Sequence, residues 1–371
     1  MAVNSVQVRL INNDEKEVCN NFYNVFYQKR RTLRQWEWEF ELNTFKPRQM
    51  PFALASDNGR IVGMQALIPI KMIDRKGVFW TAKSEETLVD PEYRGQKLFE
   101  RMYRLLFNYA HEHDFAAIWG FTPATKAFER LNFTIPGKTK QLFMPFSQQA
   151  IPQLLQKAPA EKKSGFKVVL TRAAGLLAQP LSSLKTIVQI RKKHNFEIRT
   201  QIDVNEKFGE LTGRFVQHFG GTTIYRDNDY LRWRIFENPY LRSIIKGAYD
   251  ENELLGWVAY ALGDDGMGYL VDIIVPGDNT RFNSEELVRV LLLEAVIGTR
   301  NMGALGIRGW HVNNHPFDRL VARAAQKIGF YKINRGHPFV FYSPESEIRR
   351  LSAVRFEDWF VTRIFTEGVF G

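Results

Sequence analysis

The 371-residue sequence predicts an α/β protein, a mixed sheet with helices on both faces, arranged as two similar lobes in tandem. Three observations carry this reading. Residues 84 to 99 run from an apolar strand through a Pro-Glu-Tyr-Arg-Gly turn into a long helix. The apolar run Phe115 to Phe121 follows that helix, bounded by Asp114 and Pro123, and reads as a buried parallel strand that completes a βαβ unit. A set of landmarks from this region then recurs, in the same order, in the second half of the chain.

The elements follow in order. Val6 to Ile11 alternates like a strand and lacks the basic, apolar and small-residue succession of a leader peptide. Cys19 lies in an early helical stretch, where packing is its expected role, and a lone cysteine leaves no internal disulfide. Trp36, Trp38 and Phe40 read as core, with the wall of an acceptor pocket as the alternative. Leu98, Met102, Leu105, Leu106 and Tyr109 fall on one helical face, which fixes the start of that helix. The amides and positive dipole end at residues 94 to 99, with Arg94 and Lys97 beside them, make a seat for a phosphate. His111 and His113 suit the opposite end of the dipole. His311 and His315 are four apart, but turn-forming residues separate them and no third ligand accompanies them, so a metal is not expected.

The repeat pairs Trp38–Asn43 with Trp233–Asn238, Gly63 with Gly256, Leu88-Val-Asp90 with Leu270-Val-Asp272, and Ala127–Phe133 with Ala324–Phe330, at offsets of 195, 193, 182 and 197 residues. The lobes differ at the loop. Val275 to Ser284 contains Asp278 and no glycine-rich turn, and Ser284 before Glu285 and Glu286 predicts a self-capped helix. Anion binding is therefore expected in the first lobe, over residues 1–148, with a connector at 149–195 and a degenerate second lobe at 196–371.

Val89-Asp-Pro-Glu-Tyr-Arg-Gly-Gln-Lys-Leu98 resembles the acyl-CoA pyrophosphate loop of the GNAT superfamily of N-acetyltransferases, and Ala127-Phe-Glu-Arg-Leu-Asn-Phe133 is similar to the segment that closes that fold. The resemblance implies two GNAT-like lobes, acetyl-CoA as acyl donor, and cofactor contacts at Leu88, Val89, Arg94, Gly95, Gln96, Lys97, Leu98 and Phe99. Two small residues of the family pattern are replaced, by Lys97 and Phe99, and a helical Lys97 is expected to donate its N–H instead. Phe128 stands where many relatives place a tyrosine that serves as general acid.

Amide formation needs a neutral amine, and an alkylamine with a pKa of about 10 is protonated at cellular pH, so a base must take a proton. Glu85 and Glu86 are the candidates, as carboxylates on this strand serve as base in related enzymes. Strand alternation sends them to opposite faces, which favours one, Glu85. The oxyanion is expected on a backbone N–H near Leu88 or Val89.

With 44% hydrophobic and 25% charged residues the chain is large enough for two cores, and a cytoplasmic protein without a membrane span is expected. Nine of its basic residues fall between 150 and 193 against one acid, Glu161, giving +8 of the net +11. That amphipathic segment reads as a solvated connector, as a site for an anionic acceptor or acidic membrane surface, or as a nucleic-acid contact, and no nucleic-acid motif supports the last. The acceptor is expected to be a small-molecule amine. Tyr225 to Arg234 resembles a segment of tandem GNAT-like proteins of surface-polysaccharide assembly, which implies an amino sugar. FemAB-like aminoacyl transfer and a non-catalytic acyl-CoA-binding module are the alternatives.

Overall fold

The computed structural model describes residues 6–150, 195–312, 315–343 and 355–366. The basic connector thus lies almost entirely outside the described residues. The first half runs β1 (Gln7–Leu10), α1 (Lys16–Tyr27), α2 (Leu33–Phe40), β2 (Phe52–Asp57), β3 (Arg60–Asp74), β4 (Gly77–Val89), α3 (Leu98–Glu112), β5 (Ile118–Phe121), α4 (Thr125–Glu129), β6 (Thr134–Lys138) and β7 (Lys140–Pro145). The second runs β8 (Glu197–Gln201), α5 (Glu206–Phe219), β9 (Thr223–Ile224), α6 (Asn228–Leu231), β10 (Ser243–Asp250), β11 (Glu253–Leu262), β12 (Gly268–Ile274), α7 (Ser284–Asn301), β13 (Gly306–His311), α8 (Pro316–Lys327), β14 (Tyr331–Ile333) and β15 (Pro338–Tyr342). Among the described residues no helix is long and apolar enough to cross a membrane.

The two sheets have one topology. The first is ordered β1-β2-β3-β4-β5-β15-β6, with β9 attached to β3, and the second, read from its matching edge, β8-β10-β11-β12-β13-β7-β14. Each ladder is antiparallel except β4 with β5 and β12 with β13. The strands cross the expected lobe boundaries. β15 comes from the second half and sits between β5 and β6, and β7 comes from the first half and sits between β13 and β14.

Alternation along β2 shows how the layers form. Ala53 and Ala55 face the helix α3 and its buried Leu98, Phe99, Met102, Tyr103 and Leu106. Phe52 and Leu54 face a core shared with Trp36, Trp38 and the second lobe. Of the expected stripe Leu98, Met102, Leu105, Leu106 and Tyr109, Leu105 is only half-buried, and Phe99 and Tyr103 are buried as well.

The two halves meet at a local twofold. Trp38 Nε1 donates to Trp233 O at 2.9 Å, Trp233 Nε1 donates to Trp38 O at 2.8 Å, and the rings stack with centroids 5.1 Å apart. Asn43 and Asn238 repeat one role, each accepting the amide two residues on. One expected pairing is out of register. Gly63 lies against Leu88 O and Gly256 against Ile274 O, so the counterpart of Leu88-Val-Asp90 is Ile274-Val-Pro276, four residues beyond Leu270-Val-Asp272. The apolar strand β12 offers several similar triplets, and composition alone does not choose among them.

Candidate active site

β3 and β4 pair from Asp74 and Gly77 onward, but between Ala66–Glu85 and Met64–Leu88 the register slips, and Glu86 and Thr87 together oppose Gln65. The slip is a β-bulge. Gln65, fully buried, fills it: its Nε2 donates to Glu85 O at 2.8 Å and Ala66 O at 3.0 Å, and its Oε1 accepts from Thr87 Oγ1 at 2.7 Å. Glu86 takes the left-handed conformation, φ 56°, that the bulge requires. Alternation therefore fails where the sequence relies on it, and Glu85 and Glu86 line the same cavity instead of opposite faces.

On its other side β4 pairs with β5 only through Ala82–Ile118 and Lys83–Trp119. Beyond Lys83 the strands splay. Asp90 N–H bonds Val62 O at 2.9 Å, and the antiparallel alternation then aims Leu88 N–H at β3 and Val89 N–H into the splay. A cavity of about 560 Å³ opens there, lined by Tyr23 and Tyr27 of α1, by β4, by Phe121 and Phe128, and by Trp310, His337, Arg363 and Thr366 of the second half. Trp36, Trp38 and Phe40 do not line it and are core.

The two carboxylates sit in different surroundings. Glu86 is buried and ion-paired at 2.5 Å with Arg31, which also holds Glu39 at 3.0 Å and lies 3.8 Å over the Tyr23 ring. Glu85 keeps 36% of its side chain exposed and pairs with the buried Lys83. Ser84 Oγ meets Tyr103 OH at 2.5 Å, and burial raises the Tyr103 phenol far above the usual range, so it stays protonated. Phe128 packs on Phe99 and Tyr103 and places no hydroxyl at that position. Cys19 is buried, its thiol pushed up to about 12 by desolvation, which suits packing.

The loop after β4 is pinned on both sides of its tip. Asp90 pairs with Arg60 at 2.7 Å and accepts Glu92 N–H at 3.0 Å, and Tyr93 OH donates to Asp57 at 2.8 Å. Arg94 N–H is spent on Pro91 O, so the open amides begin after it. Gly95 has φ 85° and Lys97 φ 56°, and Lys97 is the N-cap, left-handed and not helical as expected. Its side chain caps nothing, and the amides of Leu98, Phe99 and Glu100 have no partner among the described residues. Arg94, Gly95 and Lys97 are exposed, Gln96 and Val89 half-buried, and Leu88, Leu98 and Phe99 buried. The arrangement is a basic, uncapped helix start beside a split sheet, which is what a pyrophosphate requires.

The second lobe closes both features. Asn283, one residue before the expected Ser284, caps α7 by accepting the amides of Glu285 and Glu286. β12 and β13 also pair only at Gly268–Ile307 and Tyr269–Arg308. Their splay is covered by residues 355–366: Thr222 bridges Trp359, Thr362 Oγ1 donates to Asp272 at 2.7 Å, and Arg363 lies 4.6 Å over the Tyr269 ring. Asp272 pairs with Arg226 at 2.6 Å, both fully buried. Arg226 stands 195 residues after Arg31, so Arg226–Asp272 is the closed counterpart of Arg31–Glu86. His311 bonds Asp318 at 2.7 Å and His315 bonds Gly220 O at 3.0 Å while accepting the Phe317 amide, which gives both histidines structural partners.

The strand split, the bulge and the uncapped helix start belong to a GNAT-type fold, present twice in the chain, with the helix start left open in the first lobe. Residues 7–135 match the family model described as acetyltransferase (GNAT) domain. Among solved structures, a GCN5-related N-acetyltransferase from Anabaena variabilis is similar at TM-score 0.59 and 11% identity, over 91% of this chain and 72% of the other. A second, from Kribbella flavida, is similar at TM-score 0.54 and 11% identity, over 92% and 71%. Saccharomyces cerevisiae N-myristoyltransferase with bound myristoyl-CoA is similar at TM-score 0.58 and 11% identity, over 92% and 83%. No curated protein matches the sequence.

Sequence reasoning missed Gln65, Arg31, Glu39 and Arg363. Gln65 is the one polar residue in the apolar run Ile61–Ile70, and Arg31 belongs to the repeat at the same offset as Trp38. Arg363 carries no such mark.

Proposed function

We propose that the chain is an acyl-CoA-dependent N-acyltransferase that moves an acetyl group from acetyl-CoA to a primary amine, with the first lobe holding the donor. The uncapped start of α3 next to the β4–β5 split carries this reading. The amides after Arg94, with Lys97 and Arg94 around them, take the pyrophosphate, and the pantetheine arm follows the splay toward Val89. Glu85, the more open of the two carboxylates, takes a proton from the acceptor ammonium. The amine then attacks the thioester carbonyl, the C–N bond forms, and the oxyanion is met by Val89 N–H. Collapse breaks the C–S bond, and the electron pair leaves with the thiolate. The nitrogen sheds its second proton as the intermediate collapses, to the departing thiolate or to water, and Glu85 returns its own to solvent; a thiol pKa of about 8.5 makes that departure feasible without an acid at Phe128.

A finer reading, an amino sugar of surface-polysaccharide assembly, rests on Tyr225–Arg234. Arg226, Tyr230, Trp233 and Arg234 of that segment are buried and none lines the cavity, so the acceptor is better read from the cavity wall. Calorimetry with acetyl-CoA tests the donor. Micromolar binding is expected, with a loss of about tenfold or more in the Arg94→Glu/Lys97→Glu variant, and absence of binding by the unaltered protein overturns the proposal. Release of free CoA in the presence of an amine panel then separates a transferase from a binding module.

A further inference from the structure

We propose that Gln65 is the positioning residue of the base: it selects the bulge in which Glu85 stays paired in the ladder and lines the cavity; this rests on the N-acyltransferase reading of the same cavity. Strand β4 changes phase between its two ends. Ala82 N–H donates to Ala117 O on the β5 side, whereas Asp90 N–H donates to Val62 O, next to β3. The two residues are an even number apart, and unbroken alternation would aim both amides the same way, so an extra residue lies between them. The side chains agree, for Ala82 packs in the α3 layer and Leu88 in the opposite core. Where the extra residue falls decides what the cavity receives.

In the first lobe it falls at Glu86 and Thr87, and Glu85 remains opposite Ala66. Gln65 accounts for that placement. The two hydrogens of its Nε2 are shared among Glu85 O at 2.8 Å, Ala66 O at 3.0 Å and Ser84 Oγ at 3.2 Å, and its Oε1 accepts from Thr87 Oγ1 at 2.7 Å. The amide thus holds the residues on both sides of Glu86, and it gives two carbonyls at the slip a buried donor. Ser84 Oγ in turn meets Tyr103 OH at 2.5 Å, which ties the bulge to α3. Fully buried, Gln65 has no other place to turn its amide.

The second lobe is the same strand pair without the glutamine. Val258 follows Gly256 as Gln65 follows Gly63, and a valine offers no donor to a carbonyl. There Ala259 pairs with Asp272 and Tyr260 with Leu270, so the extra residue is Val271. In the register that matches Leu88 with Ile274, Asp272 corresponds to Glu86 and Val271 to Glu85. The insertion has moved by one position, and none of the described residues of β12 takes the left-handed conformation that Glu86 adopts. Without the buried amide the strand still bulges, but at the position that the base occupies in the first lobe.

The test places the second lobe's residue in the first, as Gln65→Val in the full chain, beside Gln65→Met, which keeps the side chain's length without its amide. In crystal structures of these variants Ala66 is expected to pair with Glu86, and Glu85 to become the extra residue. The helix start lies beyond the insertion in either register, so acetyl-CoA affinity by calorimetry should stay within about threefold, while kcat for CoA release, with the amine that the unaltered protein turns over fastest, falls at least about tenfold at unchanged KM for acetyl-CoA. The carboxylate limb of the kcat–pH profile should move as well, which a loss of stability alone would not cause. An Ala66–Glu85 pairing kept in both variants, or an unchanged kcat, overturns the inference. The unaltered protein keeps the failures apart: acetyl-CoA binding without CoA release, or no binding, overturns the transferase reading and the base with it, whereas turnover that the Gln65 variants retain overturns the positioning alone.

Discussion

Arg31 holds two carboxylates, Glu39 and Glu86, in a buried cluster, while Glu85 stays partly in solvent beside Lys83. Removing the arginine would take a countercharge from two buried carboxylates, the costly way to break such a cluster. The proposed mechanism gives the base to Glu85, the more exposed of the two strand carboxylates. Glu85→Gln is expected to lower kcat by about 10²- to 10³-fold with little change in KM, as read by CoA release; an unchanged kcat would move the base elsewhere. At His315 burial dominates and depresses the imidazole below its ordinary value of about 6.5. The unfolded chain then binds the proton more readily. The residue's contribution is fully present above that pH and is lost as pH falls through it toward the folded value. Urea midpoints measured above and below that pH should differ more for the natural protein than for a His315→Gln variant.

At the scale of elements, α3 and α7 are the same helix with opposite starts. Asn283 satisfies two first-turn amides of α7, and nothing among the described residues does so for α3. Asn283→Ala should cost about 1 kcal/mol, seen as a lower urea midpoint, without creating acetyl-CoA affinity in the second lobe, where Glu285 and Glu286 repel an anion. The strand, loop and helix of residues 84–112 and the strand after them were legible because hydrophobic period and turn chemistry are local properties. The bulge was not. It depends on Gln65, twenty residues from Glu85, and a one-residue slip reverses which face a side chain takes. Nor does sequence say which sheet β7 or β15 joins, since both are short apolar strands that would fit either.

For the whole molecule, the exchange of β7 and β15 makes each half depend on the other. Residues 1–150 alone would expose the edges of β5 and β6 that β15 normally covers. That fragment is expected to aggregate or remain partly unfolded by circular dichroism, and co-expression with residues 195–371 should restore a soluble complex that binds acetyl-CoA. A fragment 1–150 that folds stably by itself would contradict this. The composite cavity follows from the same exchange, as β4 and Arg363, which both line it, belong to different halves.

The reciprocal tryptophans and traded strands also bear on descent. Were the connector cut and the halves made identical, the result would be an intertwined homodimer with two equal clefts, each completed by its neighbour's last strand. Gene fusion of such a dimer releases the copies from having to stay alike. One copy can then close its helix start with an asparagine and cover its strand splay with a later segment of the same chain, while the other keeps both open.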